Sequence, residues 1–433
     1  MTQKPDPTWR TALSGAQILF VAFGATVLVP LLTGLNPSLA LLGAGVGTLI
    51  FQICTKRQVP IYLGSSFAFI APVIYSVQTW GMPATLGALA SASFFYYVAA
   101  ALVKWRGVSL IHRLLPPVVI GPVVMVIGLG LAQVAVNMAT GKAGEQQVVP
   151  YDTALAVAAI ALVATMLTAI RARGLLKLVP ILVGVAVGYV AAFFFGIVDF
   201  TKVHEAAWLA VPQFGSPEFN LAAILFMIPV AIAPIVEHVG GILAVGSVVG
   251  KDYTQSPGLH RTLLGDGLAV NVVGLFGGPP VTTYGEVTGA VMLTRNYNPV
   301  IMTWAAGFAI LMAFVGKFGA LLQTIPMPVM GGIMVLLFGS IAGIGLKTLM
   351  DARTDLMNPR NLCIVSVTLV TGIGGLSVTI GSFSLQGISL CGVLAVLLNL
   401  ILPQAPEEGR PGIARNTQKN NLIYCSLKEN NLV

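Results

Sequence analysis

Residues 278–294 read GPPVTTYGEVTGAVMLT, and the order of these residue types decides the fold. Gly278, Pro279 and Pro280 block a helix, and β-branched Val281, Thr282 and Thr283 favour an extended chain. Gly285 then lets the backbone turn before an apolar half-helix that starts near Glu286. A second stretch, PIYLGSSFAFIAPVIYSVQ at residues 60–78, follows the same plan. Pro60, Gly64, Ser65 and Ser66 disfavour helix, and the apolar run resumes near Phe67. Extended backbone at membrane depth must be covered by protein or line a cavity. The natural partner of each extended stretch is therefore the other.

The surrounding sequence makes membrane depth the right setting. Of 433 residues, 56% are hydrophobic and 9% charged, against roughly 25% charged in globular domains. Apolar segments follow one another almost without pause, at 11–32, 38–54, 61–78, 83–103, 115–136, 153–170, 176–197, 221–249, 262–278, 280–294, 299–316, 326–346, 361–375 and 384–402. A run of about 20 such residues crosses a hydrocarbon core of roughly 30 Å. The expected fold class is an all-α polytopic membrane protein of fourteen segments, with short extended strands in the third and tenth.

Charge placement orients it. With the N-terminus in the cytoplasm, only Lys142, Lys202 and Lys317 of the 23 basic residues fall in outside loops. Positive charge gathers on the cytoplasmic side of membrane proteins, which accounts for the net charge of +8. No clustered basic face points to nucleic acid. MTQKPDPTWR at the N-terminus lacks cleavable signal character, so the first apolar segment is expected to be retained and to span. The four cysteines form no CxxC pair and read as small packing residues. The stretch after Pro403 is polar, Asn-rich and expected to be mobile.

The chain also reads as doubled. LPPVVIGPVVMVIG (115–128) resembles IPMPVMGGIMVLLFG (325–339), and Pro60 and Pro280 open the two broken segments in the same order. Seven segments per half place the halves in opposite orientations, the inverted-repeat plan of secondary transporters. The half-helices then meet near mid-membrane, presenting unpaired N–H groups and positive dipole ends.

Only 15 residues are acidic, yet Glu286 lies in the stretch quoted first and Glu237 in LAAILFMIPVAIAPIVEHVGGILAVGSVV, residues 221–249. An ionisable group at bilayer depth faces the bundle interior or a solute pathway, so both are candidates for a transport site. Phe67 and Tyr284 can wall it, and amides near Phe67 and Gly285 can donate to a carbonyl. Blander roles stand beside these. Phe67 can be core packing, Ser65 and Ser66 helix caps, and Glu286 a cap. His238 points about 100° from Glu237 and reads as a packing polar group, and Asp266 as an interfacial acid.

At these residues the sequence resembles the nucleobase/ascorbate transporter (nucleobase–cation symporter) family, and within it the bacterial uracil permeases. The likeness runs over about residues 15–400 and rests on AFGATVLVP (22–30), YLGSSFAFIAP (62–72), EHVGG (237–241), GLHR (258–261), TTYGE (282–286) with TGAVMLTR after it, and IPMPVMGG (325–332). It implies two inverted repeats of seven segments. It implies a cytoplasmic N-terminus at 1–10, a core domain at 11–105 and 201–318, a gate domain at 106–200 and 319–403, and a cytoplasmic tail at 404–433.

It further implies proton-coupled uptake of uracil across the bacterial inner membrane, with no cofactor and a possible homodimer. Carried over by position, Glu237 and Glu286 hydrogen-bond the base, Phe67 and Gly285 donate amides, and Tyr284 and Ser66 line the pocket. Glu237 is the expected proton carrier. Four positions depart from the pattern: Gly241 and Ile18 stand where histidines are usual, Val287 for an amide, and Phe338 for a tyrosine. A purine or xanthine permease of the same superfamily is the alternative. A channel or membrane enzyme is a remoter one, since no HExxH, CxxC or P-loop occurs.

Overall fold

The computed structural model describes residues 8–403, apart from 145, 381 and 382. The expected tail at 404–433 and most of the 1–10 segment lie outside the described residues. Helices occupy the apolar stretches, because a helix satisfies its backbone polar groups internally where no water can. Seven helical runs among the described residues are long and apolar enough to cross a membrane: Thr8–Thr33, Pro37–Cys54, Phe67–Arg106, Pro117–Ala139, Tyr151–Arg171, Leu221–Val249 and Met327–Asp351. Shorter apolar helices cover Pro180–Phe194, Val300–Ala313, Pro359–Ile373 and Gly387–Ile401.

Several runs are interrupted, each for a legible reason. Gly81 takes φ 83° and ψ 168° inside Ile70–Arg106, and this splits the run into a half-helix and a longer helix. Within 221–249, Pro229 sits in a tight turn at Ile228–Ala231 and removes a backbone donor. The helix carrying Glu237 therefore restarts at Ile232, and Glu237 lies little more than one turn from that break.

The two extended stretches pair. Leu63–Ser65 runs antiparallel to Val281–Thr283, with Leu63 opposite Thr283, Gly64 opposite Thr282 and Ser65 opposite Val281. All six of these residues are buried. After the crossing the chain turns into Phe67–Phe69 and the helix from Ile70 on one side, and into the Gly285–Thr294 helix on the other.

Two sets of helices pack around this crossing. Leu259–Leu275 lies against Ile70–Arg106 and Pro37–Cys54, and Val300–Ala313 lies against Thr8–Thr33 and Pro37–Cys54. Met327–Asp351 lies against Pro117–Leu129 and Tyr151–Arg171, and Pro359–Ile373 lies against Gly387–Ile401. Small residues let backbones approach where apolar side chains gain nothing over lipid. A Cβ on Gly345 would fall 2.7 Å from the Met125 amide nitrogen, and one on Gly267 would fall 2.6 Å from Tyr96 Cβ.

One boundary differs from the sequence reading. The segment at 384–402 does not start as helix: Ser377–Ile380 and Phe383–Gln386 form an antiparallel hairpin, and helix begins at Gly387. Val378, Thr379 and Ile380 are β-branched and suit a strand, a preference that a short apolar run conceals.

The crossing leaves no room at Gly64, where a Cβ would fall among Tyr284 ring carbons. Gly64→Ala is expected to destabilise the protein by about 1–3 kcal/mol through overpacking. Thermal unfolding in detergent measures it, and an unchanged midpoint would contradict this packing.

Candidate functional site

The crossing is held by more than its own ladder. The Ser66 amide donates to the Pro280 carbonyl at 2.8 Å, and the Tyr284 amide donates to the Tyr62 carbonyl at 3.2 Å. The open edge of the first strand is covered by the Pro37–Cys54 helix. There the Leu63 amide donates to Thr48 Oγ1 at 2.9 Å, and Gln52 Nε2 donates to the Val59 carbonyl at 2.9 Å. Ser65 Oγ donates to the Thr26 carbonyl at 2.9 Å, and Tyr284 Oη donates to the Ser65 carbonyl at 2.9 Å. Thr26, Thr48 and Gln52 did not stand out in the sequence, because a single polar residue in an apolar helix gives no hint of a strand beside it.

This scaffold aims two helix N-termini at one region. The first amides of each half-helix have no partner within the helix and carry a partial positive charge. Gly285 opens one of them and is exposed, and a Cβ placed there meets nothing within 4 Å. Glu286 follows in the first turn, half-buried. Glu237 is also half-buried, and its Oε2 is sealed without a hydrogen-bond partner among the described residues. The two carboxylates are close enough for their charges to act on one another, and their helices pack together. Gly240 and Gly289 lie one turn from these acids and also border open space.

The remaining candidates fall into two groups. Phe67 is 4% exposed, at the other half-helix tip, with the Phe338 ring edge-on at 6.1 Å. Ser66 is sealed, and its hydroxyl has no partner among the described residues. Tyr284 is buried too: its ring covers Gly64 and its hydroxyl is committed to Ser65. The positions that depart from the family pattern are placed as follows. Ile18 and Val287 are buried in apolar packing, and Gly241 faces Thr283, whose Oγ1 would lie 2.9 Å from a Cβ there.

Asp266 is not the interfacial acid its sequence position suggested. The helix starts at Leu259, so Asp266 lies two turns in, fully buried. His238 Nδ1 lies 3.1 Å from Asp266 Oδ2, an ion-pair distance somewhat off the line of a straight hydrogen bond. His238 Nε2 lies 3.0 Å from Thr262 Oγ1. The charge of Asp266 reaches Glu237, and the buried Tyr96 hydroxyl feels both. The four-residue spacing of Thr262 and Asp266 puts both on one helix face. Nothing in the sequence said that His238 would meet that face.

The sequence model of a family described as "Permease family" matches residues 10–381. A probable uracil permease of Pasteurella multocida is 56% identical over 396 residues, 92% of this chain and 94% of that protein. The chain belongs to this permease family. A uracil permease of Bacillus caldolyticus is 47% identical over 413 residues, covering 94% of each chain. One from Escherichia coli K12 is 40% identical over 401 residues, 93% of each. The permease therefore carries a solute and is not an enzyme, and its resemblance to the nucleobase/ascorbate transporters holds along nearly its whole length. Among solved structures, the transmembrane domain of the cyanobacterial bicarbonate transporter BicA matches with TM-score 0.64 at 15% identity, over 92% of this chain and 98% of that one. Murine Slc26a9, an anion transporter, matches with TM-score 0.69 at 12% identity, over 92% of this chain and 69% of that one. At such identity the match speaks for the fold of a multi-pass transporter alone.

Tyr284→Phe tests the scaffold without emptying the site. Losing its hydroxyl leaves the buried Ser65 carbonyl short of a donor, at a cost of about 1–3 kcal/mol. The unfolding midpoint should drop accordingly; a variant as stable as the parent would show that this bond does not secure the crossing.

Proposed function

We propose that this permease takes up uracil by proton-coupled alternating access across a bacterial inner membrane. The observation that carries the reading is the pairing of Leu63–Ser65 with Val281–Thr283, which delivers Glu286, near Glu237, to the mouth of an open half-helix. Relatives named uracil permease, identical at 40–56% of positions over more than nine-tenths of the chain, supply the solute.

Uracil is planar and neutral, with two N–H donors and two carbonyl acceptors. The site offers the complementary set. Glu286 accepts from one ring N–H and Glu237 from the other, and the Gly285 and Phe67 amides donate to the carbonyls. Phe67 gives an apolar edge, Ser66 a free hydroxyl, and Tyr284 backs the pocket through the strand it braces. Glu237 carries the proton: its Oε2 has no donor among the described residues to hold it ionised. Protonation there favours the loaded state, and the core then moves against the gate.

The moving bodies are the core, residues 11–105 and 201–318, and the gate, residues 106–200 and 319–403. The two packing sets support this division. Fourteen segments as two inverted repeats of seven follow from the same pairing logic. The resembling stretches 115–128 and 325–339 lie on helices that pack on one another, as the two broken segments do. Both termini are cytoplasmic, the coupling ion is H⁺ with no cofactor, and a homodimer in the lipid bilayer is the working assembly. A larger purine such as xanthine is the second reading, favoured by the open space at Gly240, Gly285 and Gly289.

Uptake of radiolabelled uracil into proteoliposomes, competed by unlabelled thymine, xanthine and hypoxanthine, tests the solute. Thymine and the purines should compete weakly; xanthine competing as well as uracil would transfer the reading to purines. Glu286→Ala should weaken uracil binding roughly ten- to hundredfold, the loss of a hydrogen bond to a charged acceptor worth about 1.5–3 kcal/mol, measured by calorimetry. Glu237→Gln should bind base and exchange it but lose accumulation driven by a pH gradient. Concentrative uptake by that variant with unaltered pH dependence would remove Glu237 from the proton path.

A further inference from the structure

Lys142, Lys202 and Lys317 depart from the charge pattern that orients this chain, and the structure gives Lys317 a reason to be there. The chain passes between core and gate three times, and two of these passages, at residues 195–220 and 314–326, lie on the same face. They are joined to each other. The Ala210 amide donates to the Phe314 carbonyl at 3.0 Å, and the Gly316 amide donates to the Trp208 carbonyl at 3.0 Å. Between these bonds Leu209 stands opposite Val315 in an antiparallel bridge. Gly316 permits the approach, since a Cβ there would fall 2.5 Å from the Ala207 carbonyl oxygen. Lys317 follows, half-buried. Its ammonium donates to the Val203 carbonyl at 2.8 Å and lies 3.5 Å from the His204 carbonyl, at the C-terminal end of the short Thr201–Glu205 helix. A helix end of that kind attracts a cation, and the exposed Trp208 ring lies 5.8 Å from the ammonium.

The junction is fastened on both sides. Toward the core, the Gly215 amide donates to the Phe276 carbonyl at 3.1 Å, the Glu218 amide donates to the Pro83 carbonyl at 2.9 Å, and Gly319 lies against Ser38. Toward the gate, the Tyr189 and Thr324 hydroxyls are 2.6 Å apart, and the Phe200 ring meets Phe193 and Tyr189 edge-on at 5.9 and 6.3 Å. Lys317 therefore reaches from the passage held by the core to the short helix held by the gate. A cavity of about 380 Å³ separates Lys202 and Glu205 on one passage from Ala320 and Gln323 on the other. The two passages can tilt into that space without repacking a core. We infer that they form one lasting joint, with Lys317 as its positioning residue, about which core and gate turn during transport. The inference rests on the core-and-gate reading. A joint that holds throughout confines the motion to turning about one place and keeps the two passages from splaying apart. Lys317 touches no solute; it acts through the path the core follows.

Exchange of radiolabelled uracil in proteoliposomes tests the joint. Lys317→Met should keep the Kd for uracil and lose most of the exchange rate at saturating uracil, and Lys317→Arg should recover that rate. Parental exchange by Lys317→Met, or a lost rate explained by lost binding, overturns the proposal. Should Lys317→Met not fold, a cross-link decides. Leu209 and Val315 exchange no backbone hydrogen bond with each other, and the Cα atoms of such antiparallel pairs lie about 4.5 Å apart, within disulfide reach. Leu209→Cys and Val315→Cys are combined in a protein with Cys54, Cys363, Cys391 and Cys425 each replaced by serine. The oxidised protein should exchange uracil as fast as the reduced one. Exchange that stops on oxidation and returns on reduction shows that the joint must open, and overturns the proposal. A parent without saturable uracil exchange defeats the transport reading itself. A parent that exchanges beside a stalled cross-link removes the joint alone.

Discussion

Three residues of backbone on each side of one antiparallel crossing decide what the rest of this permease has to be. In hydrocarbon each unmatched N–H or C=O costs several kcal/mol, so extended chain survives only with every group met. The ladder between Leu63–Ser65 and Val281–Thr283 meets part of that demand. Thr48 and Tyr284 meet two further groups of the strand, the Leu63 amide and the Ser65 carbonyl, and Gln52 meets the Val59 carbonyl just before it. Because the strands are short, helices resume at once beyond them, and their open ends face the same space. The open space at Gly240, Gly285 and Gly289 lies beside the crossing satisfied in this way.

Acids belong at such a place for electrostatic reasons. Glu286 sits at the positive end of a helix, where negative charge is stabilised by typically 0.3–1 kcal/mol and more when partly buried. Glu237 has no such support, and it shares its surroundings with the charges of Glu286 and Asp266.

Packing between the helix sets is governed by backbone proximity more than by side-chain bulk. Gly267 beside Tyr96, and Gly345 beside Gly121 and Met125, mark helices pressed close. Lipid tails are as apolar as leucine, so helices gain little from hiding leucine and more from close contact. The same small residues leave Gly240, Gly285 and Gly289 open where the base is proposed to sit.

The sequence alone determined the membrane setting, the two broken segments and the two carboxylates. Each is a local property: hydropathy over about 20 residues, Gly and Pro at the start of an apolar run, a charge where none is affordable. It also anticipated that the broken segments would pair, since unsatisfied backbone leaves few other partners. Only the tertiary structure decided that Tyr284 braces Gly64, that Thr48 and Gln52 close a strand edge, and that a hairpin occupies part of the last apolar stretch. It alone joined His238 to Asp266, 28 positions apart. Such contacts depend on how one helix is rotated against another. That rotation is set by the summed packing of many small residues, which no single stretch of sequence records.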